Sequence, residues 1–176
     1  MKKYISYVLV AVFCFFIYGC YESEFPLSSP QSSKIDTQLV NSWVSIPKKA
    51  DDNKIRLSIL KFNDHELLIS WKQGDNETSI TRGFITEIDN VRIINTQNIK
   101  TLDEKERTFV FFKYSISNNG VLKTQILSDS SVVLKGKRFD SSEEFSAFIK
   151  KNINSKDLFG QEMEFIALET FELGIN

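Results

Sequence analysis

Apolar and polar residues alternate with a period of two through most of the chain from Ile35 onward. Ile55, Leu57 and Ile59 share one face of such a segment, and turn residues recur at intervals of about eight to twelve residues. This pattern predicts a mainly β fold, an antiparallel β-barrel or sandwich of about eight to nine strands. The apolar positions change parity at Leu60 and Phe62, which predicts a β-bulge near Leu60.

Two hairpins are predicted from their turn residues. Asp89-Asn90 joins the predicted strands 78–88 and 91–99, and Asn118-Asn119-Gly120 joins 108–117 and 121–127. Asn-Gly between β-branched and aromatic runs is a strong hairpin signal because it suits turns with positive φ. Both faces of 108–117 carry apolar residues, so we expect this strand to be buried on both sides. A short strand is also predicted at 132–134, and a last one at 163–171.

One helix is predicted in the C-terminal half of the chain. Ser141 precedes it as the N-cap, and Glu144 three residues later completes a capping box. Phe145, Phe148, Ile149 and Ile153 follow at helical spacing and form one apolar stripe. We expect this helix to pack on the sheet or to close one end of a barrel.

The segment before this domain begins with Lys2 and Lys3, continues with an apolar run over 4–18, and ends in Gly19-Cys20. It resembles a bacterial lipoprotein signal with its lipobox. The resemblance implies a signal peptide over 1–19, lipidation of Cys20, and a membrane partner that is held through the acyl chains on Cys20. It also implies location in the bacterial cell envelope, at the outer membrane, because Tyr21 rather than aspartate follows the cysteine. An uncleaved membrane helix is the alternative, although the run is shorter than the roughly 20 residues that a span needs.

The next residues, 20–34, are rich in serine and contain Pro26 and Pro30. This composition predicts a flexible tether that follows the lipidated cysteine and precedes a single β-rich domain over 35–176. The alternative is a structured strap along the domain, with Phe25 and Leu27 as its packing residues.

The order of about eight strands, a helix and a closing strand resembles a lipocalin. That family opens its first strand with Gly-x-Trp, and here Asn41-Ser42-Trp43 retains the tryptophan but not the glycine. The family's arginine on the last strand has no counterpart, so the signature is incomplete. The chain is also similar to a class of small uncharacterised bacterial lipoproteins in which an acidic residue, here Asp36, precedes Leu-x-x-x-Trp, here Leu39 and Trp43. That similarity implies no particular activity.

Composition excludes several kinds of chemistry. The chain has 176 residues, a formal net charge of −1, two cysteines and one histidine. A weakly acidic chain without a basic block offers no surface for nucleic acid. Cys14 would leave with the signal and Cys20 would carry lipid, so thiols cannot form a disulfide framework or a metal site. We therefore predict no catalytic residue, no metal and no cofactor, and we regard His65, beside a predicted turn, as a surface residue.

Aromatic residues are abundant, with fifteen phenylalanines, five tyrosines and two tryptophans. A small barrel can fill its interior with such side chains or hold a small apolar ligand among them. Trp71, Phe112 and Tyr114 are the candidates for lining a cavity. The sequence thus predicts an envelope lipoprotein whose β domain binds a partner protein or a small apolar ligand. The alternative is an envelope enzyme that acts on glycan or cell-wall substrates through paired carboxylates.

Overall fold

The computed structural model describes residues 19–48, 53–100 and 107–168. Its elements, in chain order, are β1 (Glu22–Ser23), a 3₁₀ turn (Pro30–Ser32), β2 (Ser42–Ser45), β3 (Ile55–Lys61), β4 (Leu67–Gln73), β5 (Ser79–Ile88), β6 (Val91–Asn98), β7 (Phe109–Ile116), β8 (Leu122–Ile126), α1 (Ser142–Asn152) and β9 (Met163–Ala167). Residues 1–18 of the predicted signal peptide (1–19) lie outside the described residues, as does Phe171, the end of the predicted last strand.

The sheet closes into an antiparallel barrel of eight strands, β2 to β9, and the predicted mainly β fold is confirmed. Each strand from β2 to β8 pairs with the next. The last strand, β9, follows the helix and closes the ring by pairing with both β8 and β2. Closure removes the open sheet edges that a sandwich would leave. The ninth strand, β1, adds to β7 through Glu22–Val110 and Ser23–Phe109.

Both predicted hairpins are present. Asp89 and Asn90 have φ of 49° and 66°, as the tight turn between β5 and β6 requires. Gly120 has φ of 78° in the turn between β7 and β8, and its amide donates to Ser117 O at 2.9 Å. The turns set the strand registers, and the registers decide which side chains point into the barrel.

Two local predictions are wrong. No bulge interrupts β3, which pairs with β4 in unbroken register from Ile55–Gln73 to Lys61–Leu67. Leu60 and Phe62 instead point outward, and each is more than half exposed. The change in the apolar alternation at these positions therefore comes from apolar residues on the surface and not from a bulge. The predicted strand at 132–134 is a turn in which the Leu134 amide donates to Ser131 O, and Val132 is exposed to solvent.

Apolar side chains form two separate cores on the two sides of the barrel wall. The inner core contains Leu39, Trp43, Ile59, Leu67, Tyr114 and Phe165. The outer core lies where α1 packs on the wall, and it contains Ile88, Ile93, Phe111, Phe145 and Ile149. Strand β7 contributes to both, as predicted from its two apolar faces. The predicted helix is confirmed, with the Glu144 amide donating to Ser141 Oγ at 3.1 Å.

Residues 20–34 lie along the barrel as the structured strap, rather than as the flexible tether that their composition predicts. The Leu27 amide donates to Asn95 Oδ1 at 2.8 Å, and the Leu27 side chain is buried in the outer core. Further along, Ser33 Oγ accepts from the Ile85 amide at 2.9 Å. The serine-rich composition predicted that the entropy cost of ordering this segment would keep it flexible. The buried contacts offset that cost.

Candidate functional site

The barrel encloses a cavity of about 490 Å³ that opens at one end. Its wall is largely apolar and includes Leu57, Ile59, Ile69, Ile94, Leu122 and Ile126. Cavities of about 300–1,000 Å³ with mostly apolar walls and a few polar groups are typical of small-molecule sites in proteins. The inner face of the barrel is thus partly hollow rather than completely filled by its own side chains.

The floor of the cavity is closed by the segment that follows the strap. Leu39 is fully buried there and lines the cavity, and Trp43 Nε1 donates to Leu39 O at 3.0 Å. Asp36 forms an ion pair with Arg92, whose guanidinium lies 4.8 Å from the centre of the Tyr114 ring. These polar contacts fix the connection to the barrel, so the floor is a built part of the fold.

The Tyr114 hydroxyl is held in its neutral form at this floor. It donates to Asp36 Oδ2 at 3.1 Å. Burial and the neighbouring Asp36 carboxylate raise the pKa of Tyr114 well above its usual value, and Arg92 opposes this only in part. The phenol therefore serves as a hydrogen-bond donor and not as an acid near neutral pH.

The mouth of the cavity is formed at the opposite end, where β1 joins β7. Cys20 and Glu22 line the cavity there, and Thr108 Oγ1 donates to Glu22 Oε2 at 2.6 Å. The backbone of Cys20 forms an isolated antiparallel β-bridge with Ser128, which lies just beyond the end of β8. Its thiol is partly buried, and burial, followed by the charge of Glu22, raises the pKa of Cys20. The residue with the predicted lipid attachment therefore lies at the cavity entrance.

Two threonines on the wall differ in their hydrogen bonding. Thr96 Oγ1 donates to Val110 O at 3.0 Å. Thr124 Oγ1 is the one fully buried side-chain oxygen or nitrogen in the described part of the chain that has no hydrogen-bond partner. An unpaired buried hydroxyl costs free energy, and native proteins contain few of them. Thr124 thus carries an unpaired hydroxyl that is buried within the barrel wall, beside a cavity whose lining also includes Ser79, Thr81 and Asn98.

Two of the three residues predicted to line a cavity do line it, and Tyr114 is not a lining residue. Trp71 and Phe112 are on the cavity wall, and Tyr114 is in the core at the floor. The sequence pattern did not indicate Thr124, Glu22 or Cys20 as lining residues. Alternation along β8 places Leu122, Thr124 and Ile126 on one face, and that pattern was the available signal for Thr124.

The described residues offer little for metal or carboxylate chemistry at this site. No three histidine, cysteine, aspartate or glutamate side chains cluster as metal ligands within the described ranges. Glu22 is the one carboxylate among the described lining residues, so these residues do not place a carboxylate pair across the cavity. His65 lies away from the cavity, with Nδ1 at 2.9 Å from Ser33 O. None of the described helices is long and apolar enough to span a bilayer.

No known family model matches the chain, and neither the curated proteins nor the solved structures give a match. The functional interpretation therefore depends on the cavity itself. The class of protein that the fold defines is a small antiparallel β-barrel, lipocalin-like in architecture, with an internal cavity.

Proposed function

We propose that this protein is a lipid-anchored lipoprotein of the bacterial envelope, at the outer membrane, whose barrel binds a small apolar ligand. The observation that carries the proposal is the cavity of about 490 Å³ with its mainly aliphatic and aromatic wall. Burial of apolar surface contributes about 25 cal/mol of binding free energy per Å². An apolar ligand that fills this cavity therefore gains affinity without any charged contact. The alternative of a glycan-cleaving enzyme is not favoured by any contact of the described residues.

The position of Cys20 supports the same proposal. This residue lines the mouth of the cavity. Acyl chains attached there would hold the mouth close to the bilayer surface, since two or three chains give firm attachment. An apolar ligand could then pass between membrane and cavity with little exposure to water. In this proposal the lipid anchor positions the ligand site at the membrane from which the ligand comes.

The anchor is tested separately from the cavity. Cells that express the full chain are labelled with radioactive palmitate, and the wild type is compared with Cys20→Ser. We expect label in the wild type and none in the variant. Equal labelling of both would refute lipidation at Cys20, while leaving the cavity proposal open to its own test.

Ligand binding is tested by mass spectrometry of molecules that copurify with the full chain from membranes. The variant Val110→Phe enlarges a side chain that lines the cavity. Its matched control, Val132→Phe, makes the same change at a position that is 82% exposed. We expect a small apolar molecule with the wild type and with Val132→Phe, and at least tenfold less with Val110→Phe. Equal recovery from all three proteins, at the level of the bulk membrane lipids, would refute the proposal.

A further inference from the structure

We infer that the cavity binds a single-chain lipid with an uncharged head group of several hydroxyls, as in a monoacylglycerol, and that Ser79, Thr81 and Asn98 recognise that head at the mouth. The inference rests on the proposed ligand-binding function and specifies the class of ligand. It starts from the uneven distribution of polar side chains over the cavity wall.

Three polar residues of the lining lie together at the mouth. Ser79 and Thr81 are two residues apart on β5, so their side chains share one face of the strand. Thr81 pairs directly with Asn98, the last residue of β6, and all three residues line the cavity. The preceding residue, Gln97, pairs with Phe109 at the start of β7, beside the mouth. We call Ser79, Thr81 and Asn98 the rim patch.

The side chains of the rim patch are accessible and can form further hydrogen bonds. Ser79 and Thr81 are partly exposed, and neither side chain has a hydrogen-bond partner within the described part of the chain. Asn98 is exposed, and its Oδ1 accepts from the Lys100 amide at 2.8 Å. Its amide nitrogen can donate to a ligand. The rim patch therefore offers both donors and acceptors to a molecule in the cavity.

The other threonines of the lining are less available to a ligand. The Thr96 hydroxyl donates to Val110 O, and the Thr108 hydroxyl donates to Glu22 Oε2. The Thr124 hydroxyl is fully buried, so a ligand in the cavity does not reach it. Recognition of a polar group thus falls to the rim patch.

The rest of the lining favours an apolar chain directed toward the floor. Leu57, Ile59 and Leu122 belong to this wall, and Leu39 closes the floor. An alkyl chain laid against the rim patch would cover polar groups without giving them hydrogen bonds, which is unfavourable. A ligand with its head at the rim and its chain toward Leu39 avoids that cost. The cavity volume of about 490 Å³ suits a ligand with one chain.

The charge of the lining favours an uncharged head. Glu22 is the one described lining residue whose side chain is normally charged at neutral pH. An anionic head would meet this negative charge and would find no cation among the described lining residues. A cationic head would gain little, because Glu22 is exposed and water screens its charge. Several hydroxyls, which both donate and accept, match the rim patch best.

The test uses the full chain in phosphatidylcholine nanodiscs, with quenching of tryptophan fluorescence by brominated probes as the readout. Four probes carry the same chain, brominated at the same carbons, and differ in the head: a monoacylglycerol, a methyl ester, a free carboxylate and a primary amine. The bilayer concentration of each probe is measured, so that partitioning is separated from binding.

The variants change one hydroxyl at a time. Thr81→Val removes the hydroxyl of a rim-patch residue at nearly equal size, and Thr81→Ser keeps it. Thr78→Val is the matched control, because Thr78 is exposed and is not among the described lining residues. All three are compared with the wild type.

We expect half-quenching of the wild type at a monoacylglycerol concentration at least fivefold below that of the methyl ester, and weaker binding of the carboxylate and the amine. Thr81→Val should reduce the preference for the monoacylglycerol about fivefold, which corresponds to one net hydrogen bond. Thr81→Ser and Thr78→Val should keep it.

The orientation of the ligand is tested in Trp43→Phe, which leaves Trp71 as the reporter. Trp71 lines the cavity and pairs directly with Ser79 of the rim patch. A monoacylglycerol brominated near its head should therefore quench Trp71 more strongly than one brominated at the end of its chain. Stronger quenching by the chain end would place the head at the floor and overturn the inference.

The remaining outcomes separate the inference from the proposed function. Equal binding of monoacylglycerol and methyl ester by the wild type, or an unchanged preference in Thr81→Val, would show that the rim patch does not select the head, while ligand binding stands. Tightest binding of the amine would assign recognition to Glu22 and also overturn the inference. If no probe quenches any of the proteins, the proposed function fails and the inference fails with it.

Discussion

The Tyr114 hydroxyl donates a hydrogen bond to Asp36 Oδ2 at 3.1 Å and so ties the segment after the strap to the barrel wall. Tyr114 is buried in the inner core, and Asp36 also pairs with Arg92. A hydrogen bond to a charged, largely buried acceptor is stronger than one at the surface. The contact explains how a chain entering at the mouth end can form the floor at the other end.

Replacing this hydroxyl should destabilise the protein measurably. We expect Tyr114→Phe to lower the free energy of unfolding by about 2 kcal/mol, since it removes a hydrogen bond to a carboxylate. Tyr21→Phe is the matched control, because the Tyr21 hydroxyl donates to Lys137 O at 3.1 Å in an exposed position. Chemical denaturation of both variants measures the difference. Equal losses would show that the Asp36 contact contributes no more than a surface hydrogen bond.

Thr96 and Thr124, two of the threonines on the cavity wall, should respond in opposite directions to the same substitution. Thr124→Val removes an unpaired buried hydroxyl, and we expect the free energy of unfolding of the ligand-free protein to rise by about 1 kcal/mol. Thr96→Val removes the donor to Val110 O, and we expect a loss of about 1 kcal/mol. Denaturant titrations of both variants provide the measurement. A loss of stability in Thr124→Val would mean that the hydroxyl is satisfied within the protein.

Glu66 should make the protein sensitive to acid. Burial acts to raise its pKa, but hydrogen bonds from Arg82 and Asn63, the latter at 2.7 Å, outweigh burial and lower it. Its stabilising contribution is therefore present above the unfolded pKa of about 4.3 and is lost as pH falls through the lower folded pKa. We expect Glu66→Gln to be less stable than the wild type at neutral pH, and its stability to fall less between pH 5 and pH 3. Thermal unfolding of both proteins across this pH range provides the measurement. If their stabilities fall in parallel with pH, Glu66 is not the source of the acid sensitivity.

Gly83 should tolerate no side chain. A Cβ there would lie 3.0 Å from Asn95 O and 3.2 Å from both Ile69 Cδ1 and Ile94 Cγ2. The first of these is a backbone atom of the neighbouring strand and cannot move aside easily. We expect Gly83→Ala to lose about 2 kcal/mol of unfolding free energy through overpacking.

Gly160→Ala serves as the control for Gly83. Its Cβ would meet the Ile126 side chain at 3.3 Å, and a side chain can shift. Thermal and chemical unfolding should therefore give a smaller loss for Gly160→Ala. A loss as large as that of Gly83→Ala would show that close backbone approach is not what requires glycine at 83.

The sequence contains the strands, the hairpins and the capped helix in local patterns, and these were predictable. Turn residues such as Asn90 and Gly120 specify positive φ, and Ser141 with Glu144 specifies a helix start. The strap was less visible, because its buried contacts join distant residues: Leu27 reaches Asn95, and Ser33 reaches Ile85. Composition alone cannot reveal such partners.

The cavity could be predicted only in part for a similar reason. Alternation indicates that Trp71 and Phe112 face inward, but it does not indicate whether opposing side chains meet in the middle. Thr124 looks like an ordinary strand threonine until its neighbours are known. Its unpaired hydroxyl follows from three strands together, since β7 and β9 flank it and neither provides a partner.

The two tryptophans lie at different places in the barrel, so their quenching tests whether the barrel interior binds an apolar ligand. Trp71 lines the cavity, whereas Trp43 packs in the core at the floor with its Nε1 bonded to Leu39 O. The chain has two tryptophans, so Trp43→Phe and Trp71→Phe each leave one reporter. The measurement is the quenching of each variant, as the full chain in nanodiscs, by a long-chain bromoalkane. We expect saturable quenching of Trp71 in Trp43→Phe and much weaker quenching of Trp43 in Trp71→Phe. Equal quenching of the two tryptophans, or none of Trp71, would contradict ligand binding inside the barrel.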